Sequence, residues 1–198
     1  MIQDMSSVDI LASWLQDESR FEKELSNVYK IWLEYLNPYW SENPWSRALE
    51  GKKVLVVHPF VDSIQKQYKK RAFLHKHPQT LPDFDLKTIK AVQGIGGVCN
   101  EGFKDWFDAF EYMKAEINKS NYDICILGCG AYGFPLAAHV KRMGKKAIHM
   151  GGATQMLFGI KGKRWEDEYG EFMNEHWIRP SKEETPINAM KIENGCYW

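Results

Sequence analysis

The segment Gly128-Cys129-Gly130-Ala131-Tyr132-Gly133 carries the clearest chemical signal in the chain. It has the Gly-x-Gly-x-x-Gly spacing of a phosphate-binding turn. The first glycine permits a tight bend, the second lets backbone approach a phosphate, and the third lets the following helix pack closely. That helix, with Pro135 in its first turn, would aim its unpaired N–H groups at an anion. A second glycine turn, Gly151-Gly152, precedes Thr154 and Gln155, both able to make directional hydrogen bonds. Lys161, Lys163 and Arg164 follow, separated by Gly162, and could reach a diphosphate. Trp165 could then stack on a ligand or close the pocket.

A nicotinamide-dinucleotide fingerprint would continue with Asp or Glu at the end of the next strand, to hold the ribose hydroxyls. This chain has His149-Met150-Gly151-Gly152 there, which favours a nucleotide sugar or sugar phosphate. His58 and His149 stand at strand ends, where parallel α/β proteins place ligand-facing loops, and His58 is the candidate general base. Asp83-x-Asp85 offers paired carboxylates for a divalent cation beside a diphosphate, although Pro82 and Phe84 suit a turn equally well. His75 and His77 lack a third ligand at a convincing spacing, and His139 has no acidic neighbour in sequence. Glu166, Asp167 and Glu168 read as a hydrated turn or as contacts to sugar hydroxyls. Cys129 lacks the base and orienting group that a nucleophile needs.

The elements that must position these residues follow from periodicity. Residues 7–37 alternate apolar and charged positions at helical spacing, which predicts an N-terminal helical extension over residues 1–44. Val54–Val57 reads as a buried strand ending at His58-Pro59. VDSIQKQYKKRAFLHKH reads as a helix with Ile64, Tyr68 and Phe73 inward, ended by Pro78. LPDFDLKTIKAV predicts an edge strand, QGIGG a loop, and FKDWFDAFEYMKAEINK a helix with Phe103, Phe107, Phe110 and Met113 near one stripe. YDICIL is a second central strand, PLAAHVKRM a helix and KAIHM another strand. This βαβ order predicts an α/β domain over residues 45–198, a Rossmann-like three-layer architecture with a mostly parallel sheet.

Composition bounds the function. The 198 residues carry 26 Lys+Arg against 26 Asp+Glu, and this neutrality argues against a general nucleic-acid binder. Four cysteines, none in a Cys-x-x-Cys pair, predict reduced thiols. With no basic-then-apolar leader and no apolar run of spanning length, they predict a cytoplasmic protein without a membrane-spanning segment. Eight Trp, nine Tyr and ten Phe exceed what a central core explains, leaving some to pack a lid or stack on a sugar or base.

The stretches GKKVLVVHPF, GCGAYGFPLAAHVKRMGKKAIHMGGATQMLFGIKGKRW and ENGCYW resemble a family of bacterial polysaccharide-cluster proteins, itself similar to the GT-D type of glycosyltransferase. The resemblance implies a Rossmann-like fold, nucleotide-sugar donors, a carbohydrate acceptor and a divalent cation, Mn or Mg. It further implies a role in surface polysaccharide synthesis; the aromatic surplus adds the expectation of a homo-oligomer or an assembly partner. The family's glycine turn falls on Gly128, Gly130 and Gly133, with Ala131 and Tyr132 in the block that follows. Its second turn falls on Gly151, Gly152 and Gln155, its strand-end motif on His58 and Pro59, and its basic-aromatic block on Lys161–Trp165. Full-length relatives carry an N-terminal Arg-Phe-Gly block followed by an acidic residue, which this sequence lacks. The expectation is therefore a nucleotide-sugar-dependent glycosyltransferase or its donor-binding domain. The alternative is a non-catalytic nucleotide- or sugar-phosphate-binding or interaction domain.

Overall fold

The centre of the chain is a four-stranded, fully parallel sheet. A computed structural model describes residues 1–94 and 102–198, so the expected Gln93–Gly97 loop lies largely outside the described residues, as does Cys99. The strands are β3 (Lys53–His58), β4 (Asp85–Lys90), β5 (Ile124–Leu127) and β6 (Lys146–His149), in the order β4-β3-β5-β6. Val54 pairs with Leu86 on one side and Ile124 on the other, so β3 is central and β4 an edge. Val54–Val57 of β3 and Ile124–Leu127 of β5 are apolar without interruption, as a sheet covered on both faces requires.

Alternation along the strands builds two cores. Val54, Val56, Ile124 and Ile126 face α2 (Val61–Tyr68), α5 (Thr154–Leu157) and the segment carrying Phe158, Trp165 and Trp177. Leu55, Val57, Cys125 and Leu127 face α3 (Trp106–Lys119) and α4 (Gly133–Arg142). The chain is therefore an α/β protein of Rossmann-like, three-layer architecture. The buried stripe of α3 is Ala109, Met113 and Ile117, at spacing i, i+4, i+8, whereas Phe107 is 71% exposed and Phe103 only half-buried. Helix α2 buries Ile64 and Tyr68 as expected but ends before Phe73, which is exposed. Among the described residues no helix is long and apolar enough to cross a membrane.

The N-terminal helical extension is corrected. After the four-residue α1 (Ile2–Met5), the chain forms short strands β1 (Ile10–Ser13) and β2 (Tyr29–Trp32), paired in parallel, joined by 3-10 turns. Glu18 explains part of this: its carboxylate accepts the N–H groups of Trp14 and Leu15 and the Ser13 hydroxyl, holding a turn where helix was expected. Leu25 is buried and Leu36 packs on the core, but Trp14, Tyr29 and Trp32 from the same pattern find no core to face, and Trp32 is 72% exposed. The extension is tied down by ion pairs from Arg142 to Asp4 (2.8 Å) and from Lys141 to Asp9 (2.7 Å). Tyr39 adds its hydroxyl against Met156 Sδ (3.6 Å).

Helix α2 is capped from far along the chain. The buried Glu184 carboxylate accepts the N–H groups of Asp62 (2.8 Å) and Ser63 (3.2 Å) and the Ser63 hydroxyl. An anion at a helix N-terminus is favoured by the helix dipole, and here it satisfies donors that would otherwise be buried without partners. Replacing Glu184 with Ala is expected to cost about 3 kcal/mol. Urea unfolding should show the midpoint fall with the slope unchanged, and Glu184→Gln should lose less.

Candidate functional site

The parallel order β4-β3-β5-β6 puts a topological switch point between β3 and β5, because the chain leaves them toward opposite sides. Ligands of open α/β sheets bind at such points, outside the carboxyl ends of the strands. A cleft of about 450 Å³ opens there, within the range of small-molecule sites. Its floor is His58-Pro59-Phe60 after β3 and Gly128–Tyr132 after β5, and Ala91–Gly94 after β4 form one edge.

The glycine turn is built by the absence of side chains. An ideal Cβ on Gly128 would lie 2.5 Å from His58 Cδ2 and 2.6 Å from Thr154 Cβ, so nothing larger than glycine fits between them. Gly130 has φ +56°, a left-handed conformation that L side chains rarely adopt, and its Cβ direction is open. Tyr132 N–H donates to Cys129 O, whereas the N–H groups of Gly130 and Ala131 find no acceptor among the described residues. They stand one turn before α4, a ten-residue helix, with Pro135 in its first turn as expected.

His58 is 2% exposed and still lines the cleft. Phe60 N–H donates to its Nδ1 at 3.0 Å, so Nδ1 supplies a lone pair and the neutral ring carries its hydrogen on Nε2. Burial pulls its pKa from 6.5 down to about 3. A neutral Nε2–H suits a hydrogen-bond donor, not the general base expected from sequence. Gln155 is 1% exposed and gives its amide nitrogen to Tyr197 O (3.1 Å) and Ile160 O (3.4 Å). With two carbonyls on the nitrogen the amide cannot flip, so its oxygen is the atom left without a partner among the described residues.

The walls are aromatic. Trp106 stacks on Tyr132 (4.9 Å, 4°) and on Phe110 (5.1 Å, 10°), a rigid slab whose edge meets the cleft beside Phe103. Opposite stand Phe60, Tyr197 and Trp198. Lys104 and Asp105 bring charge to the rim, and the Asp105 carboxylate caps α3 by accepting Asp108 N–H at 2.9 Å. Sequence reasoning missed Phe103, Lys104, Asp105, Trp106 and the Tyr197-Trp198 pair as site residues. The surplus of aromatic residues is their signal in composition, and Tyr197-Trp198 also ends the ENGCYW stretch of the family resemblance.

Of the residues expected to bind phosphate or substrate, Gly128, Gly130, Tyr132, Gly152 and Gln155 line the cleft. The others do not, and each has another task. The His149 ring occupies the space over Gly133 where a Cβ would sit and donates Nδ1–H to Leu127 O (3.2 Å), so both residues serve helix–strand packing. Gly151 supplies a positive φ (+56°) in the turn after β6. Thr154 is fully buried with its hydroxyl 3.4 Å from Leu127 O. Trp165 is a core residue whose ring crosses Gly152 and Gly162, both too close for a Cβ.

The basic block is corrected likewise. Lys161 donates its backbone N–H to Ile178 O (2.7 Å), Lys163 opens the exposed first turn of α6 (Lys163–Tyr169), and neither lines the cleft. The Arg164 guanidinium pairs with Glu193 and lies 5.0 Å over the Tyr197 ring, so Arg164 props a cleft wall from behind. Glu166 pairs with Arg179.

The divalent-metal reading of Asp83 and Asp85 does not fit. Asp85 begins β4, at the amino end of the sheet opposite the cleft, and Asp83 is paired with Arg71 at 2.7 Å. Among the described residues no group of three or more His, Cys, Asp or Glu side chains could hold a metal ion. His75 bonds Leu157 O (2.8 Å) and stacks on Tyr39, His77 accepts Gln79 N–H, and His139 meets Asn118 Oδ1 at 2.8 Å. Burial pushes the Cys129 thiol up to about 12, which keeps it protonated at neutral pH.

No protein-family model, curated protein or solved structure matches the chain, so the cleft is read from its own geometry.

Two outcomes follow. Gly133→Ala should destabilise the fold by about 1–3 kcal/mol, and most of that cost should vanish in a His149→Ala background, measured as a double-mutant cycle by denaturant unfolding. His58 stays neutral in the fold while the unfolded chain takes up a proton below 6.5, so folded stability drops as pH falls from 6.5 toward 3. Relative to His58→Asn, the wild type should lose about 1.4 kcal/mol per pH unit in that window.

Proposed function

We propose that this chain binds a nucleotide sugar in the switch-point cleft, as the donor-binding domain of a glycosyl-transfer step in bacterial surface polysaccharide synthesis. The observation that carries the reading is the Gly128–Ala131 turn, whose Gly130 and Ala131 N–H groups have no acceptor among the described residues and which borders the cleft at the start of α4. Such a turn favours phosphate through directed N–H groups and the positive end of the helix dipole. Lys104 at the rim adds a positive charge, and the aromatic walls suit a base or the apolar face of a sugar ring.

In transfer, an acceptor hydroxyl attacks the anomeric carbon, the bond from that carbon to the phosphate oxygen breaks with its electron pair leaving on the nucleotide phosphate, and the hydroxyl proton passes to that phosphate or to water. The turn and Lys104 are the groups here that would stabilise that developing charge. A second reading, binding without turnover, is favoured by one observation. The only carboxylate among the described cleft-lining residues, Asp105, already caps α3, and His58 is held as a neutral donor.

A thermal-shift screen with UDP-, GDP-, CMP- and dTDP-sugars, each with and without manganese, tests the binding. A ligand at about 100 times its Kd adds roughly 2.7 kcal/mol, a rise of several degrees in Tm for a chain of this size. Ala131→Pro deletes one N–H of the 3-10 turn Gly130–Tyr132 ahead of α4 and should weaken the hit about tenfold, with the ligand-free Tm measured alongside to show that the fold survives. No shift with any donor would refute the proposal. Release of nucleotide in the presence of an acceptor separates transfer from binding alone.

A further inference from the structure

The cleft holds a second recognition element beneath the glycine turn, formed by two buried neutral side chains. His58 Nε2–H is a donor and Gln155 Oε1 an acceptor, each without a partner among the described residues. Both side chains are at least 98% buried, yet both border the cleft. Both are carried to the Gly128 side of the cleft: a Cβ on Gly128 would lie 2.5 Å from His58 Cδ2 and 2.6 Å from Thr154 Cβ, and Gln155 follows Thr154 in α5. A ligand that displaces water from either atom without replacing its hydrogen bond loses about 1–3 kcal/mol, so a group that satisfies both is selected.

The pair's chemistry defines that group. A phosphate oxygen could accept from Nε2–H but would face the lone pairs of Oε1, and an ammonium would face the reverse mismatch. A hydroxyl satisfies both atoms at once, accepting from His58 and donating to Gln155. We infer that His58 and Gln155 form a hydroxyl-reading subsite for a sugar attached directly to the phosphate bound at the glycine turn. The inference rests on the phosphate reading of that turn. It assigns His58 to specificity, with Phe60 N–H as the device that fixes its tautomer. A nucleobase edge fits less well, since in a nucleotide the base is separated from the phosphate by the ribose. The hydroxyl belongs either to that ribose or to the transferred sugar.

Calorimetric titration with pyrophosphate, UDP, glucose 1-phosphate and UDP-glucose tests this on the whole chain. His58→Asn is the informative variant, because its amide can still accept Phe60 N–H while the Nε2–H is lost. The variant should leave pyrophosphate affinity unchanged and weaken sugar-bearing ligands about tenfold. Loss for UDP as well as UDP-glucose assigns the hydroxyl to the ribose, and loss for glucose 1-phosphate and UDP-glucose alone assigns it to the transferred sugar. Equal weakening of pyrophosphate, or no weakening of any ligand, overturns the subsite while leaving the phosphate reading intact. If wild-type protein binds none of the four and the thermal-shift screen finds no other donor, both fall; where the screen finds another donor, its nucleotide and sugar 1-phosphate replace UDP and glucose 1-phosphate in the same test. Should His58→Asn fail to fold, imidazole nitrogen NMR of the wild type decides: the Nε2–H resonance must move with a sugar-bearing ligand and not with pyrophosphate, and an unmoved resonance refutes the subsite.

Discussion

The structure depends on a place where no side chain is allowed. At the carboxyl end of β5, the room a Cβ of residue 128 would need is filled by His58 from β3 and Thr154 from α5. That contact lets the strand-end loops of β3 and β5 close against each other at the switch point while α5 packs beneath them. Close packing of this kind leaves little slack for substitution. It orients the His58 ring, brings Gln155 to the same wall, and starts the turn that ends at α4.

Of the described helices that begin at the carboxyl side of this sheet, α2 and α4 follow the two central strands, and the protein treats their N-termini differently. The start of α2 is filled by the Glu184 carboxylate, which neutralises the helix dipole and closes that anion site with the chain's own charge. The start of α4 borders the cleft, with φ +56° at Gly130 and two N–H groups lacking acceptors among the described residues. One intramolecular anion thus decides which of two similar strand–turn–helix units remains available to a ligand.

Legibility in the sequence tracked how local each constraint is. The four sheet strands and three principal helices are local patterns of apolar runs, periodicity and glycine punctuation, and they fold where those patterns stand. The glycine turn was legible as a unit because its spacing is local, although only Gly133 answers to a neighbour in the same βαβ segment, His149; Gly128 answers to His58 and Thr154, and Gly130 to its own positive φ. The Lys161–Trp165 block misled because charge beside glycine says nothing about which way a loop faces: Arg164 meets Glu193, and Trp165 enters the core over Gly152 and Gly162. The N-terminal helices failed for a related reason. An amphipathic stripe becomes a helix when a core receives it, and Trp14, Tyr29 and Trp32 have none. The aromatic walls were invisible as a site because they meet only through topology, Trp106 from α3 and Tyr197 from the C-terminal segment.

The Glu184 clamp has a kinetic consequence. Its bonds to Asp62 and Ser63 join groups 122 and 121 residues apart, and it lies in the same segment as Tyr197 and Trp198, which form one cleft wall. Closing so long a loop costs entropy before any contact repays it, and an all-parallel sheet adds further distant pairings. The site is therefore among the last parts of the molecule to assemble, and a refolding chain should regain strand and helix signals before it regains the capacity to hold a ligand.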